Sequence, residues 1–319
     1  MSGADIAVRV AEIQTVAERV KRVRLVRNDG GHLPTFSAGS HIVVAFQDGR
    51  RSIKNPYSLM GSLSDTSGYE ISVLKVDSST GGSRYVHDRL YEGATVTISH
   101  PFNLFQLDMR ARKHLLIAGG IGITPIMTMA EQLARLEIPF EVHYSTRTVA
   151  SGAYVGELRK RHGHKFHYYQ TVAGSRIDLP SLLSRQPLGT HLYVCGPQGM
   201  IDSVLKIGEE AGWPSQHLHA ERFTTPKGGS PFTVELARSK RKIHVREDET
   251  VLQALEAAGV EPPFLCRGGA CGQCETGVIS CDGELQHHDH YLSDEEKASG
   301  KKVMICVSRL KGSRLTLDL

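Results

Sequence analysis

The chain has no apolar run long enough to cross a bilayer. Its uncharged stretch Leu115–Ala130 falls short of the roughly 20 residues a membrane helix needs, and Gly119, Gly120, Gly122 and Pro125 interrupt it. Asp5, Arg9 and Glu12 interrupt the N-terminus, so the apolar core of a secretory signal is missing there. Neither charge dominates: 38 Lys and Arg stand against 34 Asp and Glu, dispersed along the chain, which argues against a nucleic-acid surface. The expectation is a soluble, cytoplasmic protein with neither a membrane nor a nucleic acid as partner. Cysteine is also scarce, 6 among 319 residues, yet three of the six fall in "CRGGACGQC", residues 266–274. In a reducing cytoplasm such a cluster reads as metal ligands or redox groups rather than disulfides.

With 40% hydrophobic residues, a chain of this length has material for two or three domains, each with its own core. The first hundred residues read as strands. "IAVRVAEIQTV", "KRVRLVRN", "SHIVVAF", "NPYSL", "YEISVLKV" and "ATVTISH" are rich in Val, Ile and aromatics, with Gly, Asp and Ser between them. One short helix candidate follows Gly82, and the whole reads as an antiparallel β-barrel over 1–105. From His114 the pattern changes to continuous apolar strands alternating with helical runs, as in "HLLIAGG", "TPIMTMAEQLARL" and "FEVHYS". That alternation predicts a parallel, helix-covered α/β sheet over 106–224. "TTPKGGSP", residues 224–231, has turn formers and no apolar side chain, and 225–231 is read as a linker. Residues 232–319 read as a mixed sheet with one helix, "TVLQALEAAG". This tail carries 12 basic against 14 acidic residues, and the stretch 282–296 has no Lys or Arg. An acidic run of this kind is either a solvated face or a docking surface for a basic partner.

Cys266, Cys271 and Cys274 have the spacing C-x4-C-x2-C, and Cys306 lies far downstream. Three thiolates in a tight loop with a distant fourth suit a two-iron, two-sulfide cluster, whereas zinc sites more often use two C-x2-C pairs. Gly268, Gly269 and Gly272 would let the loop wrap closely and aim N–H groups at the sulfurs. A zinc knot or chance clustering are the plainer alternatives. Cys281 falls outside the pattern and reads as an ordinary small buried residue. His287, His288 and His290 read as a solvated loop. The cluster motif resembles the plant-type ferredoxins, which implies a β-grasp fold for 232–319.

After the strand "HLLIA" comes "GGIGITP". A glycine turn there lets phosphate approach the backbone, and Thr124 and Pro125 open a helix with free N–H groups. A second apolar strand ends in "YVCGPQGM", so both loops would lie at the carboxyl edge of one parallel sheet. Together they resemble the NAD(P)H-binding domain of the ferredoxin–NADP reductase superfamily. Carried over, Gly120, Gly122, Thr124 and Pro125 would contact pyrophosphate, and Cys195, Gly196 and Pro197 would lie beside the nicotinamide. The strand ending "YSTRT" offers Ser145 and Arg147 where a 2′-phosphate would be held, so the residues leave NADPH open beside NADH.

"NPYSL", residues 55–59, resembles the same superfamily's flavin signature, Arg-x-Tyr-Ser, with Asn55 in place of the arginine. The resemblance implies that Tyr57 lies against the flavin and Ser58 near its reactive edge, with Leu59 and Lys75 also in contact. It implies that Gly81, Gly82 and Ser83, opening a helix, hold a single phosphate, which points to FMN. Asn55 leaves the usual phosphate cation to be replaced by Lys54 or Arg84. Phe223, in "ERF", would cover the flavin and move when nicotinamide docks.

The order flavin barrel, nucleotide domain, plant-type ferredoxin resembles the phthalate dioxygenase reductase family over essentially the whole chain. The resemblance implies NADH as donor, FMN as first acceptor, a 2Fe-2S cluster next, and a separate Rieske-type oxygenase, ring-hydroxylating or demethylating, as recipient. Ser58, Cys195 and Phe223 would be the residues that act at the reacting atoms. A haem oxygenase as recipient, or a redox-sensing or zinc-stabilised module with structural cysteines, are the competing readings.

Overall fold

The computed structural model describes residues 5–49, 51–77, 81–223 and 228–319. They divide into two compact units, the larger ending at Phe223.

The larger unit begins with an antiparallel sheet of β1 (Ile6–Ala17), β2 (Val20–Arg27), β3 (His41–Asp48), β4 (Arg51–Ser58), β5 (Tyr69–Leu74) and, after helix α1 (Gly82–Asp88), β6 (Thr95–Ile98). Strict alternation drives it. Ile6, Val8 and Val10 are buried while Ala7 and Arg9 face out. The strand order is β4-β3-β6-β1-β2-β5, and a bridge between Met60, just past β4, and Glu70 on β5 draws the two edges together. Residues such as Phe46, Tyr69 and Ile71 fill the interior, and α1 adds Val86.

A second sheet follows, built from β7 (Lys113–Gly119), α2 (Ile123–Arg135), β8 (Phe140–Thr146), α3 (Val155–His162), β9 (Phe166–Gln170), α4 (Leu179–Ser184), β10 (Thr190–Cys195), α5 (Gln198–Glu210) and β11 (Leu218–Glu221). All its strands are parallel, in the order β11-β10-β7-β8-β9. Its central strands are buried almost throughout because both faces are covered. Leu116 and Ala118 of β7 pack with residues of α2, and Leu115 and Ile117 with Leu182, Ile201 and Val204. The chain runs outward from β7 to β9, then returns to β10. The carboxyl ends of β7 and β10 therefore flank a switch point, where open α/β sheets bind ligands.

The two sheets share buried contacts. Ala38 and Phe105 join the core around α2, the Gly39 N–H donates to Thr128 Oγ1 at 3.2 Å, and the Ser72 and Tyr154 hydroxyls lie 2.5 Å apart.

The smaller unit contains β12 (Phe232–Leu236), β13 (Lys242–Val245), α6 (Val251–Ala257), β14 (Glu275–Cys281), β15 (Glu284–Gln286), α7 (Asp294–Ser299), β16 (Lys302–Met304), β17 (Arg309–Lys311) and β18 (Arg314–Leu317). The five-stranded sheet β13-β12-β18-β14-β16 is mixed, with β12 and β18 parallel at its centre. Helix α6, started by a Thr250 capping box, lays Val251, Leu252, Ala254 and Leu255 against it. Arg309 is buried, and its guanidinium donates to the carbonyls of Arg246, Glu249, Gly229 and Ser230. Of the expected linker, 225–227 lie outside the described residues.

Three expectations are corrected. The unit has a second helix, α7, whose Ser293 capping box with Glu296 is visible in "SDEE". Cys281 is exposed, because it closes β14 at the edge of the core. The His287–His290 segment is only partly solvated: Asp289 is buried, His287 and His288 are half-buried, and the exposed His290 donates its backbone N–H to the Gly269 carbonyl at 3.0 Å. That segment packs beneath the cysteine loop. Among the described residues, no helix is long and apolar enough to cross a membrane.

Candidate functional site

Two groups of residues carry chemistry, one in each unit. In the larger unit, β7 and β10 end side by side. The turn after β7 approaches the end of β10 so closely that a Cβ on Gly122 would lie 2.3 Å from the Cys195 carbonyl. Only glycine fits there. Gly120 takes φ 53° and faces open space, leaving its backbone approachable. Thr124 and Pro125 are buried in the first turn of α2, where the Thr124 hydroxyl donates to the Ile121 carbonyl at 3.0 Å. Gly196 follows β10 and Pro197 caps α5. Ser145 pairs with Gly119 across the β7–β8 ladder, and Arg147 beyond it is exposed.

Cys195 is fully buried, and burial, then the neighbouring Glu221, pushes its thiol pKa up. Glu221 ends β11, in register with Cys195. Its carboxyl accepts from the Ser58 hydroxyl at 3.5 Å, across from the end of β4. Glu221 keeps some open surface, but its carboxyl is walled in, and that enclosure raises its pKa to about 8, opposed by the Ser58 hydrogen bond. Ser58, Cys195 and Glu221 thus converge from three strands of two sheets. This glutamate is the first residue of "ERF", whose phenylalanine alone the motif resemblance picks out. The only local signal for it is an acid that closes a parallel strand; its place beside Cys195 comes from the β10–β11 register.

On the antiparallel sheet, the Tyr57 hydroxyl is buried without a hydrogen-bond partner, and burial raises its pKa. A buried phenol left without a partner marks a place where a polar ligand edge fits. Asn55 lies against the start of α1, its amide within 2.8 Å of where a Gly82 side chain would begin. Gly81 caps that helix, and the Ser83 hydroxyl accepts from the Val76 N–H at 3.2 Å. Leu59 is in the core, its N–H donating to the Ser40 carbonyl. Lys75 pairs with Asp88 at 2.5 Å, and Arg84 reaches the Asp77 carbonyl at 3.4 Å. Phe223 is 45% exposed.

In the smaller unit, Cys266, Cys274 and Cys306 are buried and Cys271 is half-buried. Two backbone N–H groups, of Gly268 and Ala270, point at the Cys266 sulfur, each at 3.4 Å. The thiols associate in pairs. Contact with the Cys271 thiol lowers the Cys266 pKa, and contact with Cys306 lowers that of Cys274. The same contacts raise Cys271 and Cys306. A zinc tetrahedron would bring all four sulfurs to within about 4 Å of one another, given Zn–S bonds of about 2.3 Å. Among the described residues, the one group of three ligating side chains that converges within 4.8 Å is Glu141, His143 and His167. Two separated thiol pairs fit two irons, each taking one pair. Gly272, at φ 77°, lies so close to the half-exposed Tyr291 ring that a Cβ would fall 2.3 Å from it.

Two family models match the chain: the Dimethylamine monooxygenase subunit DmmA-like, N-terminal domain over residues 95–218, and the 2Fe-2S iron-sulfur cluster binding domain over residues 234–311. The carnitine monooxygenase reductase subunit of Acinetobacter baumannii is 44% identical, over 97% of this chain and 96% of its own. The heme-dependent oxidative N-demethylase beta subunit of Ectopseudomonas mendocina is 47% identical over 90% of each. The solved structure of phthalate dioxygenase reductase, a modular structure for electron transfer from pyridine nucleotides to [2Fe-2S], superposes with a TM-score of 0.88 at 33% identity, covering 99% of this chain and 98% of that one. The chain is an oxygenase reductase component and belongs to the phthalate dioxygenase reductase family.

Proposed function

We propose that this chain oxidises NADH and delivers the electrons singly, by way of FMN and a 2Fe-2S cluster, to a separate oxygenase that demethylates or otherwise cleaves an amine substrate. The observation that carries the reading is the convergence of Ser58, Cys195 and Glu221 at the switch-point edge of the parallel sheet. In this reading residues 1–105 hold FMN, 106–224 hold NADH, 225–231 link, and 232–319 hold the cluster. Bound FMN accepts electrons in pairs and releases them one at a time, which matches a two-electron donor to a one-electron cluster.

The residues' own work is placement. Gly120 and Gly122 bring backbone N–H groups to a pyrophosphate, and the start of α2 faces its charge. Cys195, held neutral by burial, and Pro197 fix the nicotinamide. Ser58 presents a hydroxyl to the flavin edge, with Glu221 holding its orientation and, at neutral pH, a proton. Tyr57 offers its unpartnered hydroxyl, and Phe223 covers the ring until nicotinamide takes its place. Cys266 with Cys271, and Cys274 with Cys306, would each hold one iron, and the Gly268 and Ala270 N–H groups stabilise negative charge on sulfur. Ser145 and Arg147 keep a 2′-phosphate within reach, so a ratio of kcat/KM for NADH over NADPH measures how far NADH is preferred.

The relatives' names bear on the recipient. Identities of 43–44% to carnitine monooxygenase reductases exceed the 35–39% to vanillate and phthalate systems. This favours an amine-directed partner, which we assign to the Rieske type. The 47% relative favours a second reading, in which a haem protein takes the electrons. Anaerobic mixing with each class of oxygenase separates them, since only the true partner is reduced at a rate that keeps pace with NADH oxidation. A purified chain that stays colourless and iron-free after anaerobic reconstitution ends both readings.

A further inference from the structure

We propose that Glu141, His143 and His167 form a binding site for one divalent transition-metal ion of the zinc class, separate from the redox centres. The three lie on the face of the parallel sheet that carries Leu115 and Ile117, because β7, β8 and β9 run in register there: Leu115 opposite Glu141, Ile117 opposite His143, and His143 opposite His167. One ligand atom from each falls within 4.8 Å of the others, and His143 Nε2 is 3.3 Å from Glu141 Oε2. Two imidazoles and a carboxylate are a donor set that zinc takes with ligand distances of about 2.0–2.2 Å and a fourth position open to water.

The surroundings match a metal histidine. His143 Nδ1 lies 2.9 Å from the Tyr169 hydroxyl, the outer partner that fixes a ligating ring and leaves Nε2 toward the carboxylate. His167 stacks on His143 at 4.6 Å between centroids and is only half-buried, so its ring is free on one side to turn toward the ion. Two cations face the group. Lys113 Nζ takes Glu141 Oε1 at 2.6 Å, leaving Oε2 to the metal, and the exposed Arg185 lies near His143. Both weaken cation binding, which makes Lys113 diagnostic.

The test uses holoprotein carrying Cys281→Ser, which removes an exposed thiol able to bind zinc. The protein is dialysed against zinc chloride, and its zinc, iron and flavin are measured. One zinc per chain is expected above the level in His167→Gln, with iron and flavin equal in both. Tyr169→Phe should weaken binding about 10- to 100-fold, and Lys113→Met should tighten it. His143→Gln puts a fully buried position at risk, so the half-buried His167 carries the comparison, with far-UV circular dichroism as the check on folding. Equal zinc uptake by the parent and a folded His167→Gln overturns the site, as does a parent that takes up none. A Lys113→Met variant that binds more weakly removes Glu141 from the ligand set.

Discussion

Ser58 and Glu221 meet where the antiparallel sheet abuts the parallel one, each at the end of its strand, with the hydroxyl donating to the carboxyl oxygen over 3.5 Å. Enclosure raises the Glu221 pKa to about 8. Because that value lies above the 4.5 of a free glutamate, the folded state binds the proton more tightly. The associated stability is full below pH 4.5 and is lost as pH rises through 8. Glu221→Gln should therefore raise the melting temperature relative to wild type above pH 8 and leave it unchanged below 4.5. A constant difference across that range contradicts the assignment.

Replacing Cys266 with serine should abolish electron delivery to an oxygenase or to cytochrome c. NADH-dependent ferricyanide reduction should persist, since ferricyanide accepts directly from flavin. Equal loss of both activities is inconsistent with the proposed order of centres.

Asn55 brings no positive charge to the start of α1, so a flavin phosphate there needs another cation. With Lys54 and Arg84 both changed to alanine, FMN should bind about 10- to 100-fold more weakly, the range for losing charge-assisted hydrogen bonds. Unchanged flavin content after dialysis would rule out both residues.

Arg309 satisfies four carbonyls from inside the smaller unit. Arg309→Met removes that donor, leaves the buried Glu249 carbonyl unsatisfied and should destabilise that unit by about 1–3 kcal/mol. Urea unfolding followed at a visible band of the cluster reads this directly.

His41, His143 and His219 are each held near pKa 4, chiefly by burial. Unfolding returns them to about 6.5, where they bind protons more readily, so stability falls as pH drops from 6.5 toward 4. The melting temperature should decline over that interval more steeply in wild type than in His41→Gln. Parallel curves would show that His41 ionises alike in both states.

The sequence by itself determined the sheets and the cluster. Period-two burial along Ile6, Val8 and Val10 and unbroken apolar runs such as Leu115–Ala118 leave each segment one way to hide its side chains, and Cys266, Cys271 and Cys274 lie close enough in the chain for spacing to settle their neighbourhood. The helix α7 was equally local, and its capping box was readable. Tertiary structure alone decided the contacts between distant segments. Glu221 meets Ser58, 163 positions away, and no local pattern records that meeting. Cys281 and Asp289 exchange their expected burial because depth depends on what the rest of the fold lays over a residue. His143 and His167 become neighbours only because β8 and β9 align in register, a pairing set by the shared core.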